Sequence, residues 1–280
     1  MTTRATTRYV RSGDATLYAL DIAPEERIDD PSALVFSHGA GGCHVNWYQQ
    51  VSVFSERCRV IVWDQRGFGR SDDPGRDASP EQAADDLLAV LDSSGIEAAW
   101  VVAQSMAGWG TSLCARDHPE RFHGVVLCDT SAGVLDEMTV QRLEAFVEDS
   151  AALASSGRLF SSLAVGRPWL ERDQAAATAL HLWSRALPPT YASAVQDLID
   201  TRISVEHLRS IPVGVIVGES DPIFPPSTLR DAFSGVADLG LYEISASAHS
   251  PYLEAPEKFN AALSSILRAG ALPVRSGQDP

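Results

Sequence analysis

Six short, unbroken apolar runs, set between stretches of helical pattern, constrain this chain more than any other feature. They are Ala33–Phe36, Arg59–Trp63, Ala99–Ala103, Gly124–Cys128, Val213–Val217 and Leu239–Ile244. Runs of this length without polar alternation fit strands covered on both faces. Their alternation with helical stretches fits an α/β fold, a mainly parallel sheet flanked by helices. Ahead of them, Thr7 to Val10 and Thr16 to Asp21 are expected to pair antiparallel, turning at Ser12-Gly13-Asp14.

The helices carry their own punctuation. Ser79-Pro80-Glu81-Gln82 reads as a capping box with proline at the first helical position. Leu87, Leu88 and Leu91 give that helix an apolar face, and Gly95 is placed to end it. Asp117-His118-Pro119-Glu120 closes the helix that follows Ser105. From about Gly133 to Glu206 helical patterns continue without a convincing strand, and a structureless loop of that length is improbable. The expected organisation is a core formed by 1–132 and 207–270, a helical cap over 133–206, and a disordered tail over 271–280.

Composition excludes several classes. The formal net charge of −15 repels phosphate backbones and anionic lipid surfaces, so neither nucleic acid nor a membrane is an expected partner. No apolar run is long enough to span a bilayer, and the N-terminus has no apolar signal core. Cys43, Cys58, Cys114 and Cys128 form no Cys-x-x-Cys pair, which points to a reduced, cytoplasmic setting. Oligomeric state is not legible.

The chemistry gathers around three residues. Ser105 stands in Ala103-Gln104-Ser105-Met106-Ala107-Gly108, after an apolar run and before a helix, the strand–turn–helix context of a nucleophile elbow. Alanines replace the glycines of Gly-x-Ser-x-Gly, and taken alone the match is also compatible with a structural turn serine. A serine hydroxyl needs a base to take its proton. His249, just past the last apolar run, is the candidate base, and Asp221, in Gly218-Glu219-Ser220-Asp221-Pro222, is the candidate acid that orients it. Asp129, which follows an earlier run, is the competing acid; Asp221 is preferred for its place in the chain order.

The loop His38-Gly39-Ala40-Gly41-Gly42 lacks the lysine of a phosphate cradle and the third glycine of a dinucleotide fingerprint. It suits an oxyanion hole, with the backbone N–H groups of Ala40 and Met106 as candidates. His38 is expected to hold that loop, and His44 is a candidate pocket residue. His118 and His123 are expected at the surface, and His181 and His207 lie in helical patterns. Of the cap aromatics Phe146, Phe160, Trp169 and Trp183, most are expected to join the cap helices, with one or two facing Ser105.

Taken in order, these blocks resemble the α/β-hydrolase family. The resemblance rests on Ser37–Gly42, Asp64-Gln65-Arg66-Gly67-Phe68-Gly69-Arg70-Ser71, the serine elbow, Gly218–Asp221, and His249 with Glu254, Pro256 and Phe259. It implies an eight-stranded sheet, a variable cap, no cofactor and no metal. It also implies that the Asp64–Ser71 block is a structural turn. The expected function is hydrolysis of a carboxylic ester or lactone of a small, largely apolar substrate through an acyl-enzyme. The alternatives are carbon–carbon bond hydrolysis of a ring-cleavage product, or a hydrolase-fold receptor, cofactor-free oxygenase or lyase.

Overall fold

The computed structural model of the chain describes residues 3–25, 33–155, 164–184 and 191–270. Eight strands form one sheet: β1 (Thr3–Ser12), β2 (Ala15–Pro24), β3 (Ala33–Ser37), β4 (Arg59–Trp63), β5 (Ala99–Gln104), β6 (Phe122–Cys128), β7 (Val213–Gly218) and β8 (Leu241–Ile244). Their spatial order is β1-β2-β4-β3-β5-β6-β7-β8. β2 runs antiparallel to both β1 and β4, and all other neighbours are parallel. The eight-stranded, mostly parallel sheet expected from the sequence is present.

Two boundaries differ from the sequence reading. The first hairpin extends well beyond Thr7–Val10 and Thr16–Asp21, because ten residue pairs stay in register around the turn at Gly13. β8 begins only at Leu241, because Gly240 takes a φ of 93° and turns the chain into the strand.

Helices α1 (Tyr48–Phe54), α2 (Pro80–Ser93) and α3 (Ala107–Asp117) cross over between the early strands. Between β6 and β7 the described residues form α4 (Glu137–Ser155), α5 (Arg167–Arg172), α6 (Gln174–Ser184) and α7 (Tyr191–Asp200), with no strand among them. Helices α8 (Pro226–Ala232), α9 (Pro251–Glu254) and α10 (Pro256–Ala269) follow. The tail over 271–280 and Phe160 lie outside the described residues. Among the described residues no helix is long and apolar enough to cross a membrane.

The period-two alternation of strand side chains divides the core in two. Val35, Ile61, Val101, Val125 and Val215 face a cluster built with Leu87, Leu91, Trp109 and Leu113 of α2 and α3. Leu34, Phe36, Val60, Val62, Val102, Val126 and Ile216 face the other, built with Phe54 of α1 and Phe259, Leu263 and Ile266 of α10. The region between β6 and β7 splits in the same way. Leu143 and Leu198, from α4 and α7, join the first cluster, while Trp169 and Ala177, from α5 and α6, join the second.

Ser79 caps α2 by accepting the Gln82 N–H at 3.3 Å. The expected capping box is only half made, since the Gln82 side chain turns to Asp86 instead. Asp86 has a larger task. Its two oxygens take Nε and Nη2 of the buried Arg66 at 3.0 and 2.8 Å, and Arg66 also reaches Asp14 and the Ser12 carbonyl. This fork ties the Asp64–Ser71 turn to α2 and to the first hairpin. Removing one partner of a buried, bidentate pair leaves the other charge uncompensated. Asp86→Ala is therefore expected to lower stability by about 3–5 kcal/mol, read as a lower midpoint of denaturant unfolding.

Candidate active site

The order of the sheet fixes where a site can form. β3 lies between β4 and β5, so the connections leaving β3 and β5 diverge to opposite sides. Such a switch point opens a crevice at the carboxyl ends of the strands. The loop 38–42 leaves β3 there, and Ser105 leaves β5 beside it.

Ser105 has a φ of 51°, in the left-handed region that a residue with a side chain rarely adopts. The turn is held at both ends: the Ser105 N–H donates to the Cys128 carbonyl at 2.9 Å, and its carbonyl accepts the Gly108 N–H at 2.9 Å. The close approach required of its neighbours explains their size. A Cβ on Gly108 would run into the Thr130 side chain, and one on Gly39 would come within 2.9 Å of Ser105 Cβ.

The three residues singled out from the sequence meet here. Ser105 Oγ lies 3.0 Å from His249 Nε2, and His249 Nδ1 lies 2.9 Å from Asp221 Oδ2. The other Asp221 oxygen accepts the N–H groups of Ile223 at 2.8 Å and Phe224 at 3.1 Å. Burial opposes ionisation of Asp221, but His249 and these two amides hold its carboxyl below the usual carboxylate range. Asp129, the competing acid, is also buried close by, yet it accepts the Gly218 N–H at 2.8 Å, and the imidazole Nδ1 meets Asp221.

The candidate oxyanion donors flank the serine. Met106 is the N-cap of α3, so its N–H belongs to the positive end of that helix. Ala40 sits in the loop that Gly39 brings against Ser105. His38 is fully buried and spans this loop. Its Nδ1 lies 2.7 Å from the Gly39 carbonyl and its Nε2 accepts the Gln65 N–H at 2.9 Å. Burial pushes its pKa down, which favours the neutral ring those two contacts need.

The pocket candidates separate. Phe146 of α4 brings its ring centroid to 6.1 Å from that of His249, and Phe224 lies at 5.8 Å. His44 turns to Asp64, with its N–H and Nδ1 at 2.6 and 2.8 Å from Oδ1. Trp169 is buried in the second core cluster, and the side chain of Trp183 lies outside the described residues. Two groups of metal-capable side chains gather among the described residues, Cys43–His44–Asp64 and Asp129–Asp221–His249. In both, carboxylate oxygens already face N–H donors: Asp64 takes His44 and Arg70, and Asp221 takes Ile223, Phe224 and His249.

Two residues near the site had no assigned role in the sequence reading. Gln104 precedes Ser105 and donates its side-chain amide to the His249 carbonyl at 3.1 Å, joining the elbow to the histidine loop. Glu254 is buried and accepts the N–H groups on both sides of His249, from Ala248 at 3.0 Å and Ser250 at 3.2 Å. It also takes the Gly166 N–H at 2.9 Å, while Arg172 reaches its backbone carbonyl at 2.6 Å. Burial pushes the Glu254 pKa up, against the pull of those amides. Its spacing from His249 was visible in the sequence, but the amides it serves come from two segments that meet only on folding.

The comparisons with known proteins agree with this architecture. The profile described as alpha/beta hydrolase fold matches residues 32–256. The chain belongs to the α/β-hydrolase fold family. It is 27% identical over 256 residues to a 3-oxoadipate enol-lactonase of Acinetobacter baylyi, covering 89% of this chain and 93% of that one. Two solved structures share the fold. The enol-lactonase of Burkholderia xenovorans LB400 superposes with a TM-score of 0.76 at 21% identity, covering 93% of this chain and all of that one (100%). A thermophilic esterase of Thermogutta terrifontis gives 0.75 at 23%, covering 95% and 99%.

The Glu254 clamp generates a test. Glu254→Gln puts an NH2 group where an oxygen accepted an amide, leaving a buried donor without a partner at a cost of about 1–3 kcal/mol. The expected result is a lower melting temperature together with a fall in kcat that exceeds any change in KM, since His249 loses its alignment with Ser105.

Proposed function

We propose that this α/β hydrolase cleaves a carboxylic ester or lactone of a small, largely apolar substrate through an acyl-enzyme on Ser105. The observation that carries this reading is the continuous Ser105–His249–Asp221 chain, with links of 3.0 and 2.9 Å. In it, the Ser105 hydroxyl donates to Nε2 while Nδ1–H donates to Asp221. That tautomer leaves Nε2 free to take the serine proton as Oγ attacks the substrate carbonyl.

The attack forms a tetrahedral oxyanion. The N–H groups of Ala40 and Met106 are the proposed donors to it, assisted by the N-terminus of α3. Collapse breaks the bond to the alkoxy leaving group, which takes the proton from the His249 imidazolium. In an ester this group departs as an alcohol; in a lactone it stays attached as the hydroxyl of the opened chain. Water, deprotonated by His249, then attacks the acyl-serine. The acid is released and Ser105 regains its proton. Asp221 carries the negative charge opposite the imidazolium in both halves.

Several further features support the reading. The helices between β6 and β7 are proposed as a cap over Ser105, within the 133–206 segment. Phe146 from that segment and Phe224 from the core supply apolar surface beside His249, as small-molecule sites require. The likeness to enol-lactonases is consistent with ester or lactone chemistry.

Intact-mass analysis with a panel of aryl esters and lactones tests the proposal. An acyl adduct should appear on Ser105 and be absent from Ser105→Ala. Turnover of that variant should fall by about a million-fold, His249→Ala nearly as far, and the double variant little further, because such residues act as a unit. A Ser105→Ala protein that keeps substantial turnover overturns the covalent route. The pocket has its own test. Phe146→Ala is expected to lower kcat/KM roughly tenfold for esters with an apolar body, and to leave short-chain esters nearly unchanged.

A further inference from the structure

The carboxyl group beneath the imidazole is not alone. Asp129 directly follows β6, and its φ of 46° is a left-handed value that aspartate and asparagine tolerate better than most residues. Asp129 is fully buried. Its Oδ1 accepts the Gly218 N–H at 2.8 Å, and its Oδ2 lies 3.0 Å from Cys128 Sγ. One carboxylate oxygen each of Asp129 and Asp221 and a ring nitrogen of His249 lie within 4.8 Å of one another.

Two carboxylates this close together and away from water resist ionising together unless a cation balances them. Among the described residues no arginine or lysine pairs with either one; the titratable groups in contact with them are Cys128, 3.0 Å from Asp129, and His249, 2.9 Å from Asp221. The N–H donors are unequally shared. Asp221 takes three, from Ile223, Phe224 and His249, whereas Asp129 takes one from Gly218. The better-solvated oxygens keep the charge and the other carboxyl keeps the proton.

We propose that Asp129 stays protonated at neutral pH and donates its carboxylic O–H to Asp221, as a positioning residue that holds the pair at a single negative charge beneath His249. This rests on the Ser105–His249–Asp221 reading above. Burial and the neighbouring Asp221 push the Asp129 carboxyl well above its ordinary range, in the same sense. The arrangement has a chemical purpose. A doubly charged pair would hold two like charges close together away from water with no cation to offset them. A lone Asp221 would be free to rotate away from Nδ1. A neutral donor on its far side prevents both.

Asparagine at position 129 keeps an N–H donor toward Asp221 and an oxygen toward the Gly218 N–H, whereas alanine keeps neither. The test compares Asp129→Asn and Asp129→Ala with the natural protein, by infrared spectroscopy of the resting enzyme and by the pH dependence of kcat/KM. The infrared difference between natural protein and Asp129→Asn at neutral pH should contain the C=O stretch of a protonated carboxylic acid. Asp129→Asn should leave the acid limb of the rate profile in place. Asp129→Ala should lower kcat roughly ten- to a hundredfold, the loss of one hydrogen bond to a charged group. Absence of the acid band overturns the proposal. So does an acid limb that moves to lower pH in Asp129→Asn, since that would mean a negative charge had been removed. The infrared result needs no turnover, so it stands even if Ser105→Ala were to disprove the acyl-enzyme.

Discussion

The turn at Ser105 is the constraint on which the rest of the site depends. A side-chain-bearing residue at φ 51° is strained, by about 1–3 kcal/mol in comparable positions, and persists only where its surroundings over-determine it. Here they do. The ladder from β5 to β6 continues one step past the strand to hold the Ser105 N–H, and the first turn of α3 holds its carbonyl. The neighbouring positions must be small because other backbones and side chains close in: Thr130 against Gly108, and the elbow itself against Gly39. The sharpness of that turn lifts Oγ to the crevice between β3 and β5, where a histidine from a distant loop can meet it.

The second organising element is the way buried charge is handled. The chain is strongly acidic overall, yet several of its aspartates and glutamates sit inside rather than at the surface. Each is supplied with N–H donors. Asp64 holds His44 and the Arg70 amide, Asp86 holds Arg66, Asp221 holds His249 with two amides, and Glu254 holds three amides around the His249 loop. A buried carboxylate without such partners would shed its charge. These groups act as fasteners between loops that carry no regular structure of their own. Glu254 is the most consequential, because one carboxylate joins the segment leading into α5 to both sides of the histidine.

Much of this was legible in the amino-acid sequence. The unbroken apolar runs named six strands of the sheet, because a strand covered on both faces has no polar alternation to conceal it. The order of Ser105, Asp221 and His249, each placed just past such a run, already pointed to one edge of the sheet. The proline and serine at the start of α2 and the glycine at its end marked a helix whose bounds needed only local chemistry. What determined these features is periodic or local, and the linear chain carries such information directly.

Tertiary structure decided the remainder, and the reason is common to all of it. That His44 binds Asp64 depends on a contact across twenty residues. Gln104 reaches His249 across 145 residues, Gly166 reaches Glu254 across 88, and Asp129 reaches Gly218 across 89. No spacing rule predicts such pairs, because each partner's position is set by the order of strands in the sheet rather than by its neighbours in the chain. The sequence determined which residues are candidates for chemistry and that they emerge at the same edge. Only the folded sheet, by setting β6 and β7 side by side, brought a second carboxyl against Asp221 and decided how many charges lie beneath the histidine.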